Sequence, residues 1–206
     1  MKKTAEDYEL DWTLADTIVL DYEYEDVIYT LIEKEATDNN SSTYREAITK
    51  RIIGLQPSKS KLGYDDDFEP IEVKPSNYTG RVKLSGSGNF SDLTWKRHTK
   101  YIKDNVRMLI SGFCNGKLLF IIEFTYSAIA DRLQIQLKQK LPNGDQTSQY
   151  VRTATFSHTD WSDKPYKVLF VRPTIVNYKH AINKKLYNLL TSANHPNANK
   201  FFKCSE

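Results

Sequence analysis

Cysteine is nearly absent from this 206-residue chain, which holds only Cys114 and Cys204. Two thiols make no disulfide framework, and no Cys/His spacing resembles a zinc site. The four histidines, His98, His158, His180 and His195, also lack metal-ligand spacing. None has a Ser or Cys partner recognisable in the sequence, which argues against nucleophilic catalysis. No apolar run approaches the ~18 residues of a membrane helix, and the start carries no signal-peptide pattern. The expectation is a cytoplasmic protein with reduced thiols and no membrane contact. Large net charge is missing as well: the balance is +3, so global charge alone does not announce a nucleic-acid binder. There is no internal repeat and no low-complexity tract.

What is present bounds the answer further. The length suits a single domain, residues 1–206, with a buried core. Tyrosine is common, at 13 residues, and Tyr favours surfaces that meet polar ligands or partners. Charge is unevenly distributed. Residues 1–38 carry twelve Asp or Glu against three Lys, whereas residues 73–117 carry nine Lys or Arg against two Asp. That asymmetry predicts a basic face following an acidic segment.

Hydrophobic spacing sets the expected elements. Val27, Ile28, Leu31 and Ile32 predict an amphipathic helix over 25–36. Ser42 or Thr43 would cap a second helix to about Ile53, closed by Gly54. A strand is expected over 71–74, then a turn-rich stretch with a flexible Gly/Ser segment at 85–89. Ser91 or Asp92 would cap a third helix running to about Ile110. The near-continuous apolar run 117–126 predicts a central strand buried on both faces. Strand, helical crossover and buried strand together predict a β-α-β unit. Beyond it, alternation over 133–141 predicts a strand, Pro142-Asn143-Gly144-Asp145 a turn, and 151–156 and 167–171 further strands. Residues 157–164 read as a polar loop able to stack on or read bases, 177–190 as a closing helix, and the end as a loose tail. The fold class is therefore mixed α/β, a mixed sheet flanked by helices, with a core over about 25–126 and a β-rich recognition portion over about 127–206.

The segment 63–74, Gly-Tyr-Asp-Asp-Asp-Phe-Glu-Pro-Ile-Glu-Val-Lys, carries the most chemistry. Alternation along a strand sends Glu72 and Lys74 to one face and Ile71 and Val73 to the other. A carboxylate and an ammonium then stand side by side, with further carboxylates delivered from the preceding turn. Hard divalent cations take oxygen ligands, one or two of them carboxylates for Mg²⁺. Asp67 and Glu72 could both reach one ion, with the main-chain carbonyl of Val73 nearby. Lys74 could orient or help deprotonate an attacking water and balance charge in the transition state.

This order of elements, with Asp-Phe closely followed by Ile-Glu-Val-Lys, resembles the PD-(D/E)XK nuclease superfamily, the fold of many type II restriction endonucleases. It is most similar to the compact branch that includes the mismatch-repair nicking endonuclease. The resemblance spans about residues 25–126. It implies Asp67 as the motif aspartate, Glu72 as the second metal ligand, Lys74 as the catalytic lysine, and Mg²⁺ as cofactor. Asp66-Asp67 stands where the family often has Pro-Asp, so Asp65, Asp66 and Asp67 all remain candidates, with Asp66 a further metal ligand. A helical glutamate often joins such sites, and Glu25, Glu33 or Glu35 could fill that role.

The Gly/Ser segment entering the basic run 95–100 suits phosphate contact, because Lys, Arg and helix N-terminal amides all favour phosphate oxygens. Lys83, Ser87, Asn89, Lys96, Arg97 and Lys100 are the DNA-contacting candidates. The expected activity is Mg²⁺-dependent, site-specific cleavage of double-stranded DNA, with a homodimer implied if the site is palindromic. The alternatives are a repair or recombination nuclease reading DNA structure, and a non-catalytic binding module.

Overall fold

The computed structural model describes residues 41–55, 64–65, 69–145 and 149–192, all within the compact unit Asn40–Glu206. The expected helix over 25–36, with Glu25, Glu33 and Glu35, lies outside the described residues, as do Asp66, Asp67 and the tail.

The chain is mixed α/β. Helix α1 (Ser41–Ile52) ends before Gly54, whose φ of 77° is the left-handed conformation that glycine adopts without strain. Strand β1 (Ile71–Tyr78) follows and pairs in parallel with β3 (Arg107–Cys114), Glu72 opposite Met108 and Lys74 opposite Ile110. Asn115 and Gly116, with φ of 50° and 75°, turn β3 into the antiparallel β4 (Lys117–Thr125). Strand β6 (Tyr166–Val171) pairs antiparallel with β4, completing the order β1-β3-β4-β6. A second sheet pairs β2 (Gly88–Leu93) with β5 (Val151–Phe156). Thr49 of α1 donates to the hydroxyl of Ser111 on β3 at 2.7 Å, a buried tie between helix and sheet.

The crossover from β1 differs from expectation. Helix α2 (Trp95–Lys103) is capped by Thr94, whose hydroxyl accepts from the Arg97 amide, and it stops at Asp104. Ser91 and Asp92, the expected caps, belong to β2. Asn105 follows in left-handed conformation at φ 48°. The strand parallel to β1 is therefore β3, and the apolar run 117–125 returns antiparallel to it. Met108, Leu109 and Ile110 are consecutive and fully buried, a run that a doubly covered strand and a buried helix share.

Residues 133–141, expected as a strand, fall largely in helix α3 (Ser127–Lys140). Ile129, Leu133 and Leu137 are buried at helical spacing, while Ile135, the residue that completed the period of two, is 49% exposed. The C-terminal portion is accordingly more helical than its sequence suggests. Gln136 of α3 exchanges two hydrogen bonds with the Thr155 main chain at 2.8 and 2.9 Å, covering the outer edge of β5.

The expected loop at 157–164 contains the short helix α4 (His158–Trp161), with a Ser157/Asp160 capping box. Trp161 is fully buried, stacked on Phe124 at 5.1 Å, and donates its indole N–H to the Gly86 carbonyl at 2.8 Å. It is core rather than a base-stacking surface. The closing helix is split into a 3-10 helix (Ile175–Ala181) and α5 (Lys184–Thr191), the latter capped by Asn183.

Candidate active site

Strand β1 holds Glu72 at the centre of a ring of donors. Lys74 Nζ is 2.5 Å from one carboxylate oxygen, and Tyr101 donates its hydroxyl to the other at 2.6 Å. Arg97 Nη2 lies 3.3 and 3.5 Å from the two oxygens. Arg97 and Tyr101 are four residues apart on α2, hence on one helical face, and β1 and α2 meet along that face. Arg97 also bonds the Tyr101 hydroxyl at 2.9 and 3.1 Å. The guanidinium lies over the Phe90 and Tyr101 rings at 5.7 and 5.1 Å, and Lys74 lies over Phe90 at 4.7 Å. These cations therefore sit on aromatic faces that attract positive charge. Glu72 is 4% exposed, a burial that a carboxylate tolerates only when so surrounded.

Burial raises the Tyr101 hydroxyl well above its ordinary range, and the Glu72 charge adds to the rise. Tyr101 is thus held as a donor. Burial likewise raises the Tyr64 hydroxyl, which donates to Asp104. The Tyr64 ring rests 5.6 Å from that of Tyr101, and Lys100 lies 4.1 Å over it.

Two further carboxylates face this group. The Asp65 amide donates to the Ile71 carbonyl at 2.8 Å, and Asp65 Oδ2 accepts from the Val73 amide at 2.5 Å. This pair of bonds lays the end of the acidic segment against β1. Burial raises the Asp65 pKa, the Glu72 charge raises it further, and Lys50 and Lys74 pull the other way. Glu46, from α1, behaves alike: burial raises its pKa, Asp65 adds to the rise, and Ser42, Lys50 and Lys74 oppose it. Asp65 thus feels the Glu72 charge and Glu46 that of Asp65, with Lys50, Lys74 and, on Glu72, Arg97 as the cations. Of the three candidate aspartates the described residues include only Asp65.

Glu46 was missed in the sequence. It stands on a recognised helix, with Lys50 one turn later, but nothing in the spacing separates it from an ordinary surface ion pair.

The DNA-contacting candidates scatter. Lys96 and Lys100 are exposed on α2, Lys83 is exposed between β1 and β2, and Asn89 is exposed on β2. Ser87 shares a 2.8 Å hydrogen bond with Ser85. Arg97 turns inward to Glu72. The N-terminal amides of α2, expected to take phosphate, are filled by the chain itself: Asp145 accepts from the Trp95 and Lys96 amides at 2.7 Å each. The Gly/Ser segment, expected to be flexible, is pinned by the Trp161–Gly86 bond and leads into β2.

Among the described residues no three His, Cys, Asp or Glu side chains stand in metal-holding geometry. The donor chemistry nevertheless fits Mg²⁺. All three acidic groups offer hard oxygen, and Mg²⁺ needs only one or two carboxylates, with waters and phosphate oxygens completing its shell. Burial first, and a neighbouring carboxylate second, raise the pKa values of Asp65 and Glu46, and a divalent cation bound there would favour their ionised forms. No family model matches the chain, and no curated protein matches it in sequence.

Proposed function

We propose that this protein is a magnesium-dependent endonuclease that hydrolyses phosphodiester bonds of duplex DNA at specific sites. One observation carries the reading: Glu72 and Lys74 share a 2.5 Å contact on β1 beside the two acidic groups, Asp65 and Glu46, whose ionisation burial opposes. Perturbed acids cluster at reaction centres, and structural ion-pair networks perturb them too, so the contact of Glu72 with Lys74 is what favours the catalytic reading.

Glu72 and one aspartate of the acidic segment, Asp65, Asp66 or Asp67, would hold the cation, with waters and phosphate oxygens completing its shell. The bound Mg²⁺ would supply Lewis acidity and lower the pKa of a coordinated water. The rest falls to the chain. Tyr101 and Arg97 hold the Glu72 carboxylate against β1 while its other side faces Lys74. Lys74 Nζ, freed from Glu72 when the scissile phosphate arrives, orients the attacking water and offsets charge gathering on the phosphoryl oxygens. Phe90 limits water around Lys74. Lys96 and Lys100 contact the backbone beside the cut.

The test is a magnesium titration followed by thermal unfolding. At about 100 times its Kd, Mg²⁺ should stabilise the wild type by about 2.7 kcal/mol, a rise of roughly 5–10 °C for a chain of this size. Glu72→Ala should lose the rise. A wild-type protein indifferent to Mg²⁺ would leave a binding module as the better reading.

A further inference from the structure

The connection from β1 to β2 runs alongside the chain's last described helices. Leu84 pairs in parallel with Ile182; its amide donates to the Ala181 carbonyl at 2.8 Å, and its carbonyl accepts from the Asn183 amide at 2.7 Å. Tyr78, ending β1, packs edge-on against His180 at 5.7 Å. These contacts bring together two stretches that contain no acidic residue at all, 73–91 and 164–192. Arg81 and Lys83 come from the first, and Lys179, Lys184 and Lys185 from the second. All five are exposed, and none forms an ion pair with a carboxylate of a described residue.

Most protein surfaces interleave charges of both signs. Within these two stretches no carboxylate interleaves, so the five charges form a cationic strip whose fields add over about one Debye length. Its distance from the candidate active site is set by β1. Tyr78 lies four residues beyond Lys74, about 13 Å along the strand, which is about four base pairs of duplex at 3.4 Å each. A duplex that meets Glu72 and Lys74 and runs along β1 would continue over the strip.

We infer that Arg81, Lys83, Lys179, Lys184 and Lys185 form a second contact surface for the phosphate backbone of duplex DNA, away from the cut. The inference rests on the proposed nuclease reading for its choice of polyanion. A lipid surface is the poorer fit, because α5 turns Leu186 and Leu190 into the core and the exposed Val82 and Val176 are single valines rather than a broad apolar face to insert. The strip reads no bases. It contributes affinity and orientation, and its signature is salt dependence.

The experiment measures binding of the full chain to a labelled duplex of mixed sequence in EDTA, across a salt series, so that cleavage plays no part. Each lost phosphate contact lowers the log–log salt slope by about 0.9. The fourfold variant Arg81→Gln, Lys83→Gln, Lys184→Gln and Lys185→Gln should lower it by about 3–4, and weaken binding at least tenfold at about 0.1 M salt. Lys184→Gln with Lys185→Gln alone, two exposed changes, should lower it by about 2, and serves if the fourfold variant unfolds. Unchanged slopes and affinities in both variants would overturn the inference. Loss of binding to phosphatidylserine vesicles with duplex binding intact would overturn it in favour of lipid. The two readings fail separately: a strip without a nuclease binds duplex and never cuts it in Mg²⁺, whereas a nuclease without the strip cuts equally well in the fourfold variant.

Discussion

Tyr101 on α2 and Glu72 on β1 are joined by a 2.6 Å hydrogen bond between residues 29 apart in sequence. The bond fixes helix to strand, and it also fixes which way the carboxylate faces. Tyr101→Phe keeps the ring, and with it the contacts to Phe90 and Tyr126. It removes a hydrogen bond to a charged, buried group, at a cost of about 1.5–3 kcal/mol. Urea unfolding should show that loss. Cleavage should fall about tenfold in kcat, a barrier rise of about 1.4 kcal/mol, with KM for DNA little changed.

Asp65→Asn and Glu46→Gln test the crowding of carboxylates. Because the folded pKa of each acid is raised, its contribution to stability is complete below the unfolded value, about 4, and is lost as pH rises through the folded value. Without metal, ionising either acid in the folded protein therefore costs stability. Each neutral amide should raise the metal-free Tm at pH values above the folded pKa of the acid it replaces. The same variants should blunt the stabilisation by Mg²⁺. Variants less stable than wild type at pH 7 and fully responsive to Mg²⁺ would remove both groups from the site.

Gly88 offers a probe of Lys74 that leaves its charge in place. A Cβ added there would lie 2.6 and 2.8 Å from the Phe156 ring and 3.3 Å from Lys74 Cβ. Gly88→Ala should cost about 1–3 kcal/mol through overpacking. It should also lower cleavage more than Asn89→Ala, one residue further on and exposed. Equal activities would show that the backbone beneath Lys74 has room to yield.

His98 sets a pH dependence apart from the carboxylates. It is buried on α2, its Nδ1 is 2.9 Å from the Tyr126 hydroxyl, and burial lowers its pKa. A histidine kept neutral by the fold contributes stability that is present above its unfolded pKa, about 6.5, and lost as pH falls toward the folded value. Urea midpoints should decline below about pH 6.5 in the wild type and decline less in His98→Asn. Parallel profiles would show that another group governs the acid limb.

Local pattern carried much of the fold. Alternation placed Glu72 and Lys74 together on a strand, and the apolar run at 117–125, the turn at Gly54 and strands β5 and β6 all lie where spacing put them. Two of the misreadings have one physical origin. Leu133, Leu137 and Leu141 satisfy the periods of both helix and strand, and Met108-Leu109-Ile110 suits any doubly buried element, so local pattern could not decide. The site was legible only where it is local. Arg97 and Tyr101 reach Glu72 across 25 and 29 residues, and Glu46 joins Asp65 from another helix, relations that packing alone creates. Trp161 looked like a surface aromatic because its loop is polar; its core role depends on Phe124 and the Gly86 carbonyl.

Cleavage of plasmid and phage DNA is the most direct measurement. The purified protein would be incubated with both substrates in Mg²⁺, beside an EDTA control and the Glu72→Ala and Lys74→Ala variants. Discrete fragments are expected with the wild type in Mg²⁺ alone, with each variant slower by at least about 100-fold. Intact DNA across many sequences, or equal cutting by wild type and both variants, would contradict the assignment of Glu72 and Lys74 as a reaction centre.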